Sequence, residues 1–277
     1  MAEAETLRIL VFGAHPDDSD LRVGGCAMLY RRLGHVVKFI SVTNGDTGHY
    51  SIGGGALARR RFEETQAAAA VADIEYEVFD IHNGELVPDI PTRKMVIRAI
   101  REFVPDVVVC HRANDYHPDH RAVGQLVHDA IYICLVPNMV ALTEPMHQTP
   151  VLLYTEDAFT DPAPFRIDVA IDIEEVLERK IDMVACHVSQ VYEWLPWADG
   201  VLDEVPDGAA ERREWLGTRM RKRFGNTAER SREKLAALYG PDHSAGVQAA
   251  EVFMISEYGR KPSEDDIRQL FPFLPRQ

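Results

Sequence analysis

The first 135 residues alternate between short apolar runs and longer amphipathic segments. The apolar runs predict four buried strands, over Leu7–Phe12, Val36–Val42, Glu75–Phe79 and Asp106–Cys110. Apolar residues at helical spacing predict helices over residues 23–33, 59–72 and 92–103, and from near residue 117 to Ile133. This alternation is typical of parallel βαβ units. We therefore expect an α/β fold with a Rossmann-like, open, mostly parallel sheet that has helices on both faces.

The pattern is less regular in the second half of the chain. Val151–Tyr154 and Phe165–Ile171 predict two further strands, and Ile173–Val188 and Ala209–Phe224 predict two amphipathic helices. The 277 residues contain no internal repeat, no low-complexity segment and no convincing linker. The whole chain is therefore predicted to be one domain with a C-terminal elaboration.

The charge of the chain excludes two classes of partner. Lys and Arg number 30 against 44 Asp and Glu, so the formal net charge is −14. Nucleic acids and anionic membranes are bound through a basic footprint, so we expect neither as a partner. One basic cluster, Arg219 with Arg221, Lys222 and Arg223, is interpreted as a solvated helix face. Contact with an anionic substrate or a partner is the alternative interpretation.

The cysteines and the first residues favour a cytoplasmic location. Cys26, Cys110, Cys134 and Cys186 form no CxxC pair, which is typical of buried thiols in a reducing compartment. The segment MAEAETLRIL lacks the basic and apolar regions of a secretory signal. No stretch reaches the ~18 uninterrupted apolar residues that a membrane span needs.

Two polar clusters, each containing a proline, follow predicted strands. The first is Gly13-Ala14-His15-Pro16-Asp17-Asp18 and the second is His117-Pro118-Asp119-His120. Open α/β sheets bind ligands at the carboxyl ends of their strands, where the strand order reverses. Because both clusters combine imidazole and carboxylate groups, we predict that they are the halves of one metal site.

The donor groups of the two clusters indicate zinc. Zinc binds imidazole nitrogen and carboxylate oxygen, and catalytic sites use three protein ligands and an open position for water. His15 and Asp18 are close enough in sequence to reach one ion, and the third ligand is predicted to be His120 or His117. Asp17 would then lie beside the ion, where a carboxylate takes a proton from water.

Several alternatives compete with this interpretation. Asp17 and Asp119 are favoured residue types for capping the helices that follow them, and a single histidine such as His15 is more often structural than a ligand. A phosphoacceptor domain with Mg²⁺ at Asp17 and Asp18 is a further alternative, although the histidines favour zinc. A sugar-binding module without turnover has no use for Asp17. The first cluster is not a glycine-rich phosphate loop, which argues against a nucleotide-binding domain.

The two clusters resemble the motifs of the LmbE/PIG-L family of zinc-dependent N-acetylglucosaminyl deacetylases. AHPDD after the first strand and the later HPDH carry the resemblance. Arg61-x-x-Glu64 and His187-Val188-Ser189-Gln190, similar to the family's HxSQ, support it. The resemblance implies a deacetylase domain with a core at about residues 7–190 and a C-terminal elaboration over about residues 191–277.

The resemblance also implies a role for each residue of the site. His15, Asp18 and His120 would bind Zn²⁺, or another divalent ion, and Asp17 would be the general base. His117 would stabilise the oxyanion or help to protonate the leaving amine, and Asp119 would orient His117. The implied substrate-binding residue is Arg61, near the sugar.

The implied reaction removes the N-acetyl group of an N-acetylglucosamine-type sugar or conjugate and releases acetate and a free amine. By the same resemblance, the partner is an N-acetylated amino sugar and the protein is a homo-oligomer, a trimer or a hexamer. The sequence departs from the family where Asp20 replaces glutamate and Arg22 replaces a small residue. Neither departure changes a residue that is predicted to bind the metal, so both concern the identity of the substrate.

The segment Asn44–Ala56 and the aromatic residues Tyr192, Trp194 and Trp197 are candidates for a sugar platform. Sugars stack on aromatic faces, and a glycine-rich loop on an α/β scaffold commonly carries function. Hydrophobic packing or an oligomer contact is the alternative interpretation of the aromatic residues.

Overall fold

The computed structural model describes residues 6–275 and contains a seven-stranded sheet with helices on both faces. The strands are β1 (Arg8–Gly13), β2 (Val36–Ser41), β3 (Glu75–Val78), β4 (Val107–Cys110), β5 (Val151–Thr155), β6 (Val169–Asp172) and β7 (Ala250–Gly259). Their order is β3-β2-β1-β4-β5-β7-β6. The first five strands pair in parallel, and β7 is antiparallel to β5 and β6. The expected fold class is confirmed.

Ten α-helices accompany the sheet in the described part of the chain. They are α1 (Asp18–Arg32), α2 (Gly54–Ala72), α3 (Ile90–Phe103), α4 (Pro118–Ile133), α5 (Leu177–Ala185), α6 (Leu195–Ala198), α7 (Ala209–Arg230), α8 (Arg232–Tyr239), α9 (Pro241–Gly246) and α10 (Glu264–Leu270). A π-helical turn at Ser189–Trp194 leads into α6. Within residues 6–275 no helix is both long and apolar enough to cross a membrane.

The strands of the sheet are buried on both faces. In β1, Ile9 and Val11 pack on the side of α1 and α2, whereas Leu10 and Phe12 pack on the side of α3 and α4. Side chains alternate between the faces of a strand, so both sets must be apolar. This double burial explains why the parallel strands appear in the sequence as short, nearly continuous apolar runs.

The strand order reverses between β1 and β4. Strand β1 pairs in parallel with β2 on one side and with β4 on the other. Connections leaving β1 and β4 therefore run in opposite directions and open a crevice at the carboxyl ends of these two strands. Both polar clusters follow these strands, so the fold brings them to the same edge.

The C-terminal third contributes a strand that the sequence pattern did not predict. Strand β7 lies between β5 and β6 and is the only sheet partner of β6 among the described residues. We propose that the chain forms a single domain, because β7 completes the sheet that residues 8–172 begin. The first five residues, on which part of the location prediction rests, lie outside the described residues.

Several predicted elements differ from the observed ones at their ends. The predicted strand Phe165–Ile171 begins only at Val169, and the predicted helix Ile173–Val188 is confined to α5 after a short 3₁₀ turn. Helix α2 begins at Gly54, inside the segment predicted to be a loop. Glycine and polar residues hide the start of this helix because they carry no apolar periodicity.

A buried ion pair holds the middle of α1 against the sheet. Glu251 on β7 accepts hydrogen bonds from the backbone N–H groups of Gly25 (2.7 Å) and Cys26 (2.8 Å). Lys180 on α5, fully buried, donates to the same carboxylate. A Cβ atom on Gly25 would lie 2.8 Å from Ile173 Cγ2 and 2.9 Å from Glu251 Oε1. This close approach explains a glycine in the middle of a helix.

We expect Gly25→Ala to destabilise the protein by about 1–3 kcal/mol, because the added methyl group must push the ion pair or Ile173 aside. The clash outweighs the gain of about 1 kcal/mol in helix propensity. The free energy of unfolding, measured in urea, tests this expectation. Gly55→Ala on α2 is the matched control, since its Cβ would meet open space. Equal stability of the two variants would contradict the packing argument.

Candidate metal centre

The turn after β1 holds Asp18 in one position. The backbone N–H groups of Asp17 and Asp18 donate to the carbonyl of His15, at 2.8 and 3.2 Å. Asp18 Oδ2 in turn accepts from the backbone N–H of Ala14 (3.0 Å) and of His15 (2.8 Å). The side chain of Asp17 does not cap α1, so its capping interpretation is wrong.

The second cluster forms the start of α4. His117 is the N-cap residue, and its Nδ1 accepts a hydrogen bond of 3.1 Å from the backbone N–H of Asp119. Asp119 therefore does not cap the helix with its own side chain. His120 follows within the first turn and points towards His15, with 5.1 Å between the ring centroids.

The three predicted ligands each place one donor atom close to the donor atoms of the other two, at the carboxyl ends of β1 and β4. His15 Nδ1 lies 3.3 Å from Asp18 Oδ2 and 3.3 Å from His120 Nε2, and Asp18 Oδ2 lies 3.4 Å from His120 Nε2. Ligands arranged tetrahedrally at about 2.1 Å from zinc are about 3.4 Å apart. The nitrogen and oxygen donors therefore have the spacing and the chemistry that a zinc ion requires.

Two further carboxylates orient the histidine rings. Asp119 Oδ2 lies 3.2 Å from His15 Nε2, and Asp115 Oδ1 lies 3.1 Å from His120 Nδ1. A carboxylate on one ring nitrogen holds the proton there and leaves the other nitrogen free to bind a metal. The free nitrogens are then the two that face Asp18. This arrangement is independent support for a metal at the site.

Asp119 contacts His117 through its backbone N–H and not through its carboxylate. Asp119 Oδ2 is 3.9 Å from His117 Nδ1, beyond hydrogen-bonding distance. The carboxylate is instead occupied by His15 and by the backbone N–H groups of Gly84 (2.6 Å) and Leu86 (3.3 Å). The carboxylate of Asp119 therefore orients His15, a predicted metal ligand, while its backbone N–H holds Nδ1 of His117.

The buried carboxylates of the cluster need positive charge beside them. Burial alone would lower the pKa of His120, but Asp18 and Asp115 outweigh it and raise that pKa to about 10. Burial would raise the pKa of Asp18, yet His120 and His111 hold it well below its ordinary value. The carboxylates thus favour a cation among them, either protons on the imidazoles or a metal ion that displaces those protons.

His111, at the end of β4, also lies in the cluster and was not identified from the sequence. Its ring stacks on His120 with 4.0 Å between centroids, and its Nε2 lies 3.3 Å from Asp18 Oδ2. The backbone N–H of Ala14 points at this nitrogen from 3.2 Å. His111 therefore packs beneath His120, and its position directly after β4 was the signal that could have revealed it.

His117 lies at the edge of the cluster, where one of its ring nitrogens is within 4.8 Å of ring nitrogens of His15 and His120, so it stays the alternative third ligand. Burial, together with His15 and His120, lowers the pKa of His117 to about 4. Because Nδ1 accepts the N–H of Asp119, the neutral ring carries its proton on Nε2. The ring also packs edge-to-face against His15, with 4.4 Å between centroids. His117 therefore presents an N–H group beside the predicted metal position.

Arg61 lies beneath Asp17. Its guanidinium donates to Asp17 Oδ1 at 3.1 Å, to the carbonyl of Pro16 at 3.2 Å and to that of Gly45 at 3.4 Å. Only 2% of Arg61 is exposed, although it borders the cavity. The contacts that the structure shows for Arg61 are thus with the predicted base and the backbone, while its predicted contact with the sugar stays a prediction.

The two supporting motifs join the loops around the site. Glu64 accepts hydrogen bonds from the backbone N–H (2.8 Å) and the hydroxyl (2.6 Å) of Ser189, and Gln190 donates to the carbonyl of Gly48 at 3.1 Å. Asp20 lies 3.1 Å from His187. The glycine-rich loop and the π-helical turn are therefore held together next to the cluster of histidines and carboxylates.

These loops enclose a cavity of about 490 Å³. His15, Asp17, Asp18, His117 and His120 lie on its wall. Trp194 also borders it, whereas Tyr192 is buried against Leu216 outside it, so packing explains Tyr192. Trp197 is exposed and stacks on Trp194 and on Tyr50, with centroid distances of 5.3 and 5.2 Å. Of the three predicted platform residues, only Trp194 faces the site.

Residues 10–131, which include both clusters, match a protein-family model described as PIG-L: GlcNAc-PI de-N-acetylase. The chain is 28% identical over 203 residues to diacetylchitobiose deacetylase of Thermococcus kodakarensis, covering 69% of this chain and 73% of that protein. It is 24% identical over 193 residues to 4-oxalmesaconate hydratase of Pseudomonas putida, covering 67% of this chain and 74% of that protein.

A solved structure has the same fold. The N,N'-diacetylchitobiose deacetylase from Pyrococcus horikoshii superimposes with a TM-score of 0.70 at 20% identity. The match covers 91% of this chain and 84% of that one. The two chains therefore share a fold over nearly the whole length of this chain.

We expect His120→Ala to lose the bound metal and Asp115→Asn to weaken zinc binding by about 10–100-fold, because Asp115 orients the His120 ring. Zinc content by mass spectrometry and a competition titration with a chelator measure both effects. His128→Ala on the same helix is the control, since His128 lies outside the cluster, and it should retain zinc. Unchanged zinc stoichiometry in His120→Ala would remove His120 from the ligand set.

Proposed function

We propose that this protein is a metal-dependent hydrolase that removes the N-acetyl group from an N-acetylglucosamine-type sugar or its conjugate. The match of residues 10–131 to the PIG-L family model supports this proposal. The products are acetate and a free amine. The observation that carries the proposal is the set of three donors from His15, Asp18 and His120 with Asp17 beside it on the wall of one cavity. The similarity to a deacetylase supports amide hydrolysis as the reaction.

His15, Asp18 and His120 would hold the ion, most simply Zn²⁺ or another divalent metal. When bound, such an ion lowers the pKa of water towards about 7 and polarises a carbonyl oxygen. Asp115 and Asp119 would keep the two imidazoles oriented for binding.

Asp17 is the proposed general base. Arg61 holds its Oδ1, and among residues 6–275 no donor bonds its Oδ2, which leaves that oxygen available to water in the cavity. Asp17 takes one proton from water as the oxygen attacks the acetamide carbon. The same proton is then delivered to the sugar nitrogen as the C–N bond breaks, which gives acetic acid and a neutral amine. The acid then loses its proton to the amine or to water and becomes acetate.

His117 is the proposed oxyanion donor. Its Nδ1 is occupied by the N–H of Asp119, so Nε2–H is the group that it offers to the cavity. A donor already aimed at the developing negative charge stabilises the tetrahedral intermediate by about 3–4 kcal/mol. The proton for the amine therefore comes from Asp17, and His117 keeps its own.

A hydratase is the second candidate function. The chain is also similar to a hydratase of 4-oxalmesaconate, a carboxylate substrate. Arg22 and Arg223 line the same cavity as the metal cluster, and guanidinium groups suit carboxylates. A phosphoacceptor role has no comparable support, because imidazole donors disfavour magnesium. Homo-oligomerisation and cytoplasmic location stay predictions.

We expect the zinc-loaded protein to release acetate from N-acetylated amino sugars. A panel of N-acetylglucosamine derivatives, assayed for acetate and for primary amine, measures this activity. An unsaturated tricarboxylate, followed by the loss of its ultraviolet absorbance, measures hydration in parallel. Hydration without acetate release from any sugar would replace the deacetylase proposal with the hydratase one.

We expect Asp17→Asn to keep its zinc and to lower kcat by about 10²–10⁴-fold, since general base catalysis is worth roughly that factor. Metal content and steady-state kinetics are measured on the same sample. Asp73→Asn, at an exposed position after α2, should leave both unchanged. Activity near the unsubstituted level in Asp17→Asn would exclude Asp17 as the base.

A further inference from the structure

The cavity that borders His15, Asp17 and His120 is the catalytic cavity of the proposed reaction. A second cavity, of about 620 Å³, adjoins it and is lined by many basic side chains. Helices α1 and α7 and the segment after β5 form its wall. Arg22 and Arg223 border both cavities, so the two spaces meet at these side chains. The cationic residues of this basic groove are Arg22, Arg219, Lys222, Arg223 and Arg230. Such a concentration of positive charge contrasts with the net charge of −14 for the whole chain.

The acidic residues of the basic groove are already neutralised. Asp157 receives two hydrogen bonds from Arg112, at 2.6 and 2.5 Å. Glu156 pairs with Arg230 and accepts from the hydroxyl of Thr227 at 3.2 Å. These carboxylates therefore have little capacity left to balance the other cations.

Among the described residues, Arg223, Arg22 and the exposed Lys222 are the cations of the basic groove that lack a close carboxylate. Of these three, only Arg223 and Arg22 also border the metal-site cavity. Within the described part of the chain, the guanidinium of Arg223 makes no hydrogen bond, and no carboxylate oxygen lies within 4.0 Å of its nitrogens. Arg223 is nevertheless partly buried. Arg22 has only a long ion pair, with 3.7 Å between its Nη1 and Glu156 Oε2. Burial and the neighbouring Arg22 lower the pKa of Arg223 to about 10. Two adjacent guanidinium groups that lack good partners repel each other, and a bound anion removes that repulsion.

The structure divides the basic cluster of the sequence into two parts. Arg221 faces Glu178 and Glu214 on the outside, as expected for a solvated helix face. Arg223, two residues later, points towards the metal cavity. The interpretation of the whole cluster as a solvated face is therefore wrong for Arg223. Arg22, a departure from the family motif, is its neighbour.

We propose that Arg22 and Arg223 form an anion subsite, and that the substrate carries a carboxylate or phosphate group on the part of the molecule beyond the acetamido sugar. The statement that the substrate is an acetamido sugar rests on the proposed function. Guanidinium groups bind both kinds of oxyanion through paired hydrogen bonds. The catalytic cavity would take the acetamide, and the basic groove would take the rest of the conjugate.

Matched substrates test the subsite in the zinc-loaded protein. N-acetylglucosamine 1-phosphate and N-acetylglucosaminyl malate are compared with the neutral methyl glycoside of N-acetylglucosamine. We expect Arg223→Gln and Arg22→Gln each to lower kcat/KM for an anionic substrate by at least about tenfold, the usual worth of a hydrogen bond to a charged group. The values for the neutral glycoside should change less than about threefold.

Arg221→Gln is the matched control, since it lies on the same helix and borders neither cavity. It should leave all substrates unaffected. The anionic substrate with the larger loss identifies whether phosphate or carboxylate is preferred. An equal loss for neutral and anionic substrates in Arg223→Gln would overturn the subsite and assign Arg223 a general role.

A binding measurement separates failure of the subsite from failure of the proposed function. Calorimetry with zinc-loaded Asp17→Asn protein, with and without Arg223→Gln, measures affinity without turnover. We expect Arg223→Gln to weaken binding of N-acetylglucosamine 1-phosphate by at least about tenfold and to leave the neutral glycoside unchanged. Equal affinities would overturn the subsite even if acetate is released. Selective binding without acetate release from any substrate would overturn the deacetylase proposal and leave the subsite standing.

Discussion

Buried negative charge at the carboxyl ends of β1 and β4 is the constraint on which the site depends. Asp18, Asp115 and Asp119 all contact histidine rings within hydrogen-bonding distance or nearly so. Carboxylates buried in this way require cations beside them. The contacts between Asp18 and His120 therefore hold the turn after β1 against the start of α4. The crevice at the strand reversal is shaped by this electrostatic requirement as much as by apolar packing.

Periodicity predicted the parallel half of the sheet, and the motifs identified the two polar clusters that the fold brings together. They did not reveal Asp115 or His111, because each becomes informative only when the fold places it against His120. Strand β7 was missed for a different reason. It is antiparallel to β5 and β6 and distant from both in sequence, so it does not belong to a βαβ alternation that would predict it. Pairing over such distances is decided by tertiary structure.

Substrate recognition was the least predictable part, because it depends on which charges remain without partners after folding. A run of basic residues on α7 gives no sign of which members face Glu178 and which face the cavity. Helix rotation separates Arg221 from Arg223 by about 200°. The proposed specificity thus depends on the rotation of α7 about its own axis, which decides the side chains that face the cavity. The local sequence does not determine this rotation.

Strand β7 also has a consequence for the order in which the molecule assembles. Residues 13–120, which contain the metal cluster, emerge from the ribosome well before residue 250. Until then, β6 has no neighbouring strand among the described residues, and Lys180 has no Glu251 to balance it. The apolar face of α1 packs on β1 and β2, but the N–H groups of Gly25 and Cys26 have no Glu251 carboxylate to bind until β7 is made. The strand that is synthesised last therefore supplies the carboxylate that completes the packing of the helix that begins at Asp18.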